Sequence, residues 1–222
     1  MFLTKIFNTL FKSRQVRNNY LIEFRFQGRS KREIKNFISN IDYKFNIKKY
    51  KKHRIVPHIS LVGPFTTNNE KKLISDFSNI PKKYSIMRFK TDGYNTFEHS
   101  EVIHIKIKSN KNLDKLRWEL VTKLKDYCKL KPFDYNENFN YHSTIAMNIP
   151  THKFNKIKKY VFKLNQPKYE NHLTRLTLLR NSKILFEYDF FLKRILNRKQ
   201  ARNKLILAQT KNKLKKIIKN RN

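Results

Sequence analysis

The chain has 222 residues, 39% hydrophobic and 14% aromatic with 18 Phe and 11 Tyr, enough to bury a real core. With 3 Gly and 6 Pro it is neither collagen-like nor low-complexity, and its single cysteine, Cys128, excludes an internal disulfide framework or a cysteine-based structural zinc site. Fifty-one Lys and Arg against 16 Asp and Glu give a net +35, a field that attracts polyanions, nucleic acid first and an anionic membrane surface second.

The charge is uneven. Residues 193–222 hold 12 Lys and Arg and no acid, residues 1–18 hold 4 and none, and 19–192 keep 35 basic against 16 acidic residues. This divides the chain into a basic globular domain, 19–192, and two basic extensions, 1–18 and 193–222. In the first extension Phe2, Leu3, Ile6, Phe7, Leu10 and Phe11 follow helical spacing, read as a helix docked on the domain or, second, lying on a membrane surface. No secretory signal and no transmembrane run is present, so a cytoplasmic location is expected.

Next, Ile22, Phe24 and Phe26 alternate with charged residues, the two-residue period of a half-buried strand. Ile34, Phe37, Ile38 and Ile41 predict a helix. Ile55–Phe65 reads as a strand ending at Gly63-Pro64, Leu73–Phe77 as a short helix, and Tyr84–Phe89 as extended. Then the pattern restarts. Ile103, Ile105 and Ile107 mark a strand, Leu113, Leu116, Leu120 and Leu124 a helix, and Phe139–Met147 an extended segment. A helix is expected from a cap near Thr151, followed by a hairpin of Leu173–Leu179 and Ile184–Phe190 turning at Asn181-Ser182. The basic tail from 193 reads as a helix, packed on the body or gripping phosphates.

Each half therefore reads strand–helix–strand–helix–strand, the first opening at Leu21 and the second at Val102. His58-Ile59-Ser60-Leu61 and His142-Ser143-Thr144-Ile145 stand at matched places, separated by nearly the same step along the chain. Residues i and i+2 of a strand share a face, so each histidine shares one with a hydroxyl, Ser60 or Thr144, and Ala146 leaves room beyond. If the halves face each other, two imidazoles and two hydroxyls meet in one cleft. One ring can take a proton while the other gives one, and the hydroxyls can hold phosphate oxygens, a set suited to phosphoryl transfer without a metal. A third such spacing, His172-Leu173-Thr174, is followed by charged Arg175 and has no counterpart one repeat away.

These two motifs resemble the paired H-x-[T/S]-x motifs of the 2H phosphoesterase superfamily. Val56-Pro57, Gly63-Pro64-Phe65 and the closing strands, from Thr174 to Leu179 and from Ile184 to Tyr188, are similar to its 2′-5′ RNA ligase/cyclic phosphodiesterase branch, over roughly residues 20–192. The resemblance implies a bilobal α+β fold, a pseudo-two-fold duplicated unit with two antiparallel sheets facing a central cleft. It implies opening of 2′,3′-cyclic phosphate RNA ends to 2′-phosphates without a metal or other cofactor, and reversible 2′-5′ ligation of such an end to a 5′-hydroxyl. By that analogy His142 is the base toward water and His58 the acid toward the 3′ oxygen, with Ser60 and Thr144 on the phosphate.

Arg54, Phe65 and Tyr141 border the motifs and are candidate RNA contacts, an exposed cation and two stacking platforms, with surface or core packing as their ordinary fates. His53, His99, His104 and His152 lack matched partners and are expected at the surface, and Cys128 is expected to be buried and inert on a helix. The partner expected is RNA with a cyclic phosphate end, and the protein a monomer. Two alternatives stay open: an RNA-binding module with little turnover, and a hydrolase of a small cyclic nucleotide or ADP-ribose cyclic phosphate.

Overall fold

The computed structural model describes residues 18–47 and 55–219. The first extension through Arg17, and His53 and Arg54, lie outside the described residues. The elements are β1 (Asn19–Arg25), α1 (Gly28–Phe45), β2 (His58–Thr67), α2 (Glu70–Asn79), β3 (Met87–Phe97), β4 (Val102–Lys108), α3 (Lys111–Leu124), β5 (Cys128–Lys129), β6 (His142–Ala146), α4 (Thr151–Phe162), β7 (Glu170–Leu173), β8 (Arg175–Arg180), β9 (Lys183–Asp189), β10 (Arg194–Asn197), α5 (Arg198–Ala201) and α6 (Lys204–Lys219).

They form two antiparallel sheets, ordered β10-β9-β8-β1-β2-β5 and β6-β4-β3-β7. Their cores match strand for strand: β2-β1-β8-β9 in one against β6-β4-β3-β7 in the other. The third strand of each half crosses to the other half's sheet, β3 joining β4 and β8 joining β1. This exchange ties the halves into one duplicated α+β body. The histidine strands β2 and β6 belong to different sheets and yet touch each other.

Alternation builds the core as expected. On β1 Tyr20, Ile22 and Phe24 are buried on the apolar side, and on β2 Ile59 and Leu61. The amphipathic faces of α1 (Ile34, Ile38, Ile41) and α3 (Leu113, Leu116, Leu120, Leu124) close over them, α3 against β2 and α1 against β6. Asn69 and Asn110 cap α2 and α3 through side-chain oxygens that accept from Lys72 N and Leu113 N.

Several local expectations need correcting. β2 does not end at Gly63-Pro64: Gly63, at φ +103°, forms a bulge there and the pairing resumes, Tyr20 opposite Phe65 and Ile22 opposite Val62. β3 starts at Met87 and runs to Phe97, masked in sequence because Gly93 and a register shift break its alternation. Thr151 is the first helical residue, after Pro150, and not the cap. Cys128 is buried but on the short strand β5, and burial pushes its thiol up to about 11. The folded body also extends past Leu192, since β10 pairs with β9 as the edge of the larger sheet. Among the described residues no helix is long and apolar enough to cross a membrane.

Candidate active site

His58 and His142 open their strands at equivalent places, and in both the ring is fixed the same way. His58 Nδ1 lies 2.8 Å from Val56 O and His142 Nδ1 2.9 Å from Asn140 O. A carbonyl only accepts, so each Nδ1 carries the hydrogen and each Nε2 is left for the cleft. Ser60 and Thr144 are half-buried on the same faces as their histidines, as alternation requires. Ser143 turns inward, and its Oγ has no hydrogen-bond partner among the described residues. Ala146 is buried opposite Ile103 and lines no open space.

The pairing register adds residues that sequence reading passed over. Arg25 lies opposite His58 and Glu23 opposite Ser60, while Lys106 lies opposite His142 and His104 opposite Thr144. Directly opposed residues share a sheet face, so each motif histidine has a cation across from it. Each cation holds a carboxylate: Arg25 Nε donates to Glu23 Oε1 at 2.5 Å, and Lys106 Nζ is 2.9 Å from Asp92 Oδ2. Glu23 is buried, with its other oxygen 3.8 Å from His58 Nε2.

The second motif sits in a cluster of rings. His104 stacks on Phe97 with centroids 4.2 Å apart, and His142 meets both edge-on, at 5.2 Å and 4.8 Å. Burial holds His142 below the ordinary histidine range, and the charge of His58 adds to that effect against the opposing pull of the Asn140 carbonyl. The strands that carry the two rings, β2 and β6, are in contact. His104 is pushed down to about 4, first by burial and then by His142. His104 is thus buried, at 3% exposure, and not a surface residue: its face of β4 looks polar in sequence but is covered by Phe97 and His142. Beside it a pocket of about 320 Å³ is lined by Asn95, Phe97, His104, Lys106, Phe139 and Asn140.

Phe65 and Tyr141, candidate stacking platforms with packing as their ordinary fate, are core residues at 2% and 4% exposure. Phe65 stacks on Tyr20 behind β2. Tyr141 immediately precedes His142, so alternation alone turns it to the opposite face, against Phe139.

Arg117, fully buried on α3, anchors the segments that carry both motifs. It donates to the carbonyls of Leu61, Asn136 and Asp134 and lies over the Phe139 ring at 3.7 Å. The Asp134 carboxylate accepts from Gly63 N, closing the link between β2 and the loop that leads to β6. Among the described residues no group of three or more His, Cys, Asp and Glu side chains is placed to hold a metal ion.

A family model described as the 2'-5' RNA ligase superfamily matches residues 31–184. Solved structures of similar fold include E. coli LigT complexed with 3'-AMP, 13% identical with a TM-score of 0.51 over 78% of this chain and 98% of that one. A structure described as a phosphoesterase is 14% identical with a TM-score of 0.49, over 78% and 98% of the two chains. Kluyveromyces marxianus Usb1 is 9% identical with a TM-score of 0.46, over 76% and 96%. No curated protein matches this sequence.

Proposed function

The chain belongs to the 2'-5' RNA ligase superfamily, a family of phosphoesterase and ligase type, and from that premise we propose that it opens 2′,3′-cyclic phosphate ends of RNA to 2′-phosphates. With a 5′-hydroxyl in place of water as the nucleophile, the same ring opening joins such an end to a second strand through a 2′-5′ bond, reversibly. The observation that carries this reading is the pair of motif histidines, each with Nδ1 tied to a carbonyl and Nε2 left for substrate.

In the hydrolytic direction His142, held in its neutral form by burial, takes a proton from water at Nε2 as the water oxygen attacks phosphorus. The bond from phosphorus to the 3′ oxygen breaks, and His58, facing the Glu23 carboxylate, gives a proton to that oxygen. Phosphate remains on the 2′ oxygen. Ser60 and Thr144 donate to the non-bridging oxygens, and Arg25 opposite His58 holds the charge that builds on them. The pocket beside His104 offers room for a base next to the reacting phosphate.

The test is an RNA oligonucleotide ending in a 2′,3′-cyclic phosphate, with the product analysed for which oxygen keeps the phosphate. A 2′-phosphate product that disappears in both His58→Ala and His142→Ala supports the assignment. Undiminished turnover in the double variant refutes it.

A further inference from the structure

The C-terminal helix α6 is seated on the sheet by a buried polar latch. Thr210, 1% exposed, accepts from Arg175 Nη2 at 2.9 Å and donates to Asp189 Oδ2 at 2.5 Å. Arg175 spends its other N–H groups on Asp189 (2.8 Å), Glu187 (3.2 Å) and the carbonyl of Ala201 (3.1 Å). Ile206, Leu207, Leu214 and Ile217 lie half-buried on the same side of the helix as Thr210.

The pairing register says which face of the sheet this is. Arg175 is opposite Asp189 and shares its face with Thr177. Thr177 is opposite Glu23, and Glu23 opposite Ser60, which shares its face with His58. The helix therefore stands on the histidine face. With strands about 4.8 Å apart, β8 and β9 lie two to three strands, roughly 10–15 Å, from β2. The exposed flank of α6 carries Lys204, Lys211, Lys215 and Lys219, whose spacings of 7, 4 and 4 align them in one stripe roughly 22 Å long. No acidic residue interrupts it.

We infer that α6 is a wall of the cleft that grips the phosphate backbone of a single-stranded RNA a few nucleotides from its reacting end. The substrate class is then a polymeric strand and not a mononucleotide. This deepens the function proposed above and rests on it. A stripe of cations beside, and not within, the catalytic residues adds nothing to a mononucleotide but meets the backbone of a longer chain.

Truncating the helix would strip the Thr210 hydroxyl from Arg175 and Asp189 and uncover their buried ion pair, so exposed lysines are the cleaner target. In Lys204→Gln/Lys211→Gln/Lys215→Gln/Lys219→Gln the ratio of kcat/KM for a single-stranded RNA decamer with a cyclic end to that for cytidine 2′,3′-cyclic phosphate should fall about tenfold or more. The salt dependence on the decamer should flatten by about 0.7 in log–log slope for each phosphate the variant leaves unneutralised. An unchanged ratio and slope overturn the proposal. If the wild-type protein opens neither substrate, the catalytic reading falls and binding decides the surface separately. Anisotropy with a decamer ending in a 3′-phosphate should then show weaker, less salt-sensitive binding by the variant, and equal binding overturns it.

Discussion

Glu23 and His104 occupy equivalent places in the two halves of the molecule. Each lies on the strand next to its histidine strand, directly opposite the motif hydroxyl, Ser60 or Thr144, and two residues before the cation opposite the motif histidine. The step along the chain from Glu23 to His104 equals that from Leu21 to Val102, the offset of the duplication itself. A carboxylate thus attends His58 and a neutral imidazole attends His142. The two halves differ in charge at this pair, and in the proposed mechanism that difference is what would separate an acid from a base.

Glu23→Gln keeps the side chain's size and removes its charge, loosening Arg25 as well. We expect kcat to fall about 10- to 100-fold, at or below the lower end of the roughly 10²–10⁴-fold that a positioned acid contributes, since His58 itself remains. The loss should shrink on a phosphodiester with an aryl leaving group, whose phenolate departs without a proton. An equal loss on both substrates would show that Glu23 merely supports the fold.

Because His142 is held below the ordinary histidine range, its neutral form persists as pH falls. The acidic limb of the kcat/KM profile should lie below about pH 6.5, and the His142→Ala variant should lose that limb with most of its rate. A limb above that value would contradict the assignment of His142 as base.

His104 makes a prediction about stability. Its pKa is about 4 in the folded protein and about 6.5 unfolded, so the unfolded chain takes up a proton first as pH falls. Stability is full above about pH 6.5 and declines toward pH 4, with a contribution on the order of 3 kcal/mol from this group. In His104→Phe, which keeps a ring against Phe97, urea unfolding should show a shallower decline over that window. Parallel curves for the two proteins would disprove the argument.

Removing the Arg117 guanidinium strips donors from three backbone carbonyls. At about 1–3 kcal/mol for each buried group left unsatisfied, Arg117→Met should lower stability by several kcal/mol, with the urea midpoint reporting it. Activity of the surviving folded fraction should fall too, since both histidine segments hang from this residue. A midpoint within error of wild type would remove Arg117 from that role.

Thr210→Val replaces the hydroxyl between Arg175 and Asp189 by a methyl of the same shape, and should cost about 1–3 kcal/mol. Thr210→Ser keeps the hydroxyl and should stay close to wild type. Equal effects of the two substitutions would mean that packing, and not the latch, seats the helix.

Much of this site was legible before any coordinates. The His58 and His142 motifs, the faces they share with Ser60 and Thr144, and the repeat offset all follow from strand alternation and counting. The same tools could have found more. The step from Leu21 to Val102, applied to Glu23, reaches His104, and one step of alternation turns Tyr141 away from His142. What alternation cannot say is what covers a face. The polar side of β4 looks like a solvent side until Phe97 and His142 close over it.

The amino-acid order alone determined which side chains share a surface, because the period of a strand is a local property of the backbone. It determined the duplication and the two histidines in the same way. Only the tertiary structure decided that β3 and β8 exchange sheets, that Phe65 belongs to the core, that Arg117 joins the two motif segments and that α6 stands on the histidine face. Those outcomes depend on contacts between residues far apart in the chain, where packing and hydrogen-bond satisfaction choose among arrangements that local periodicity leaves equal.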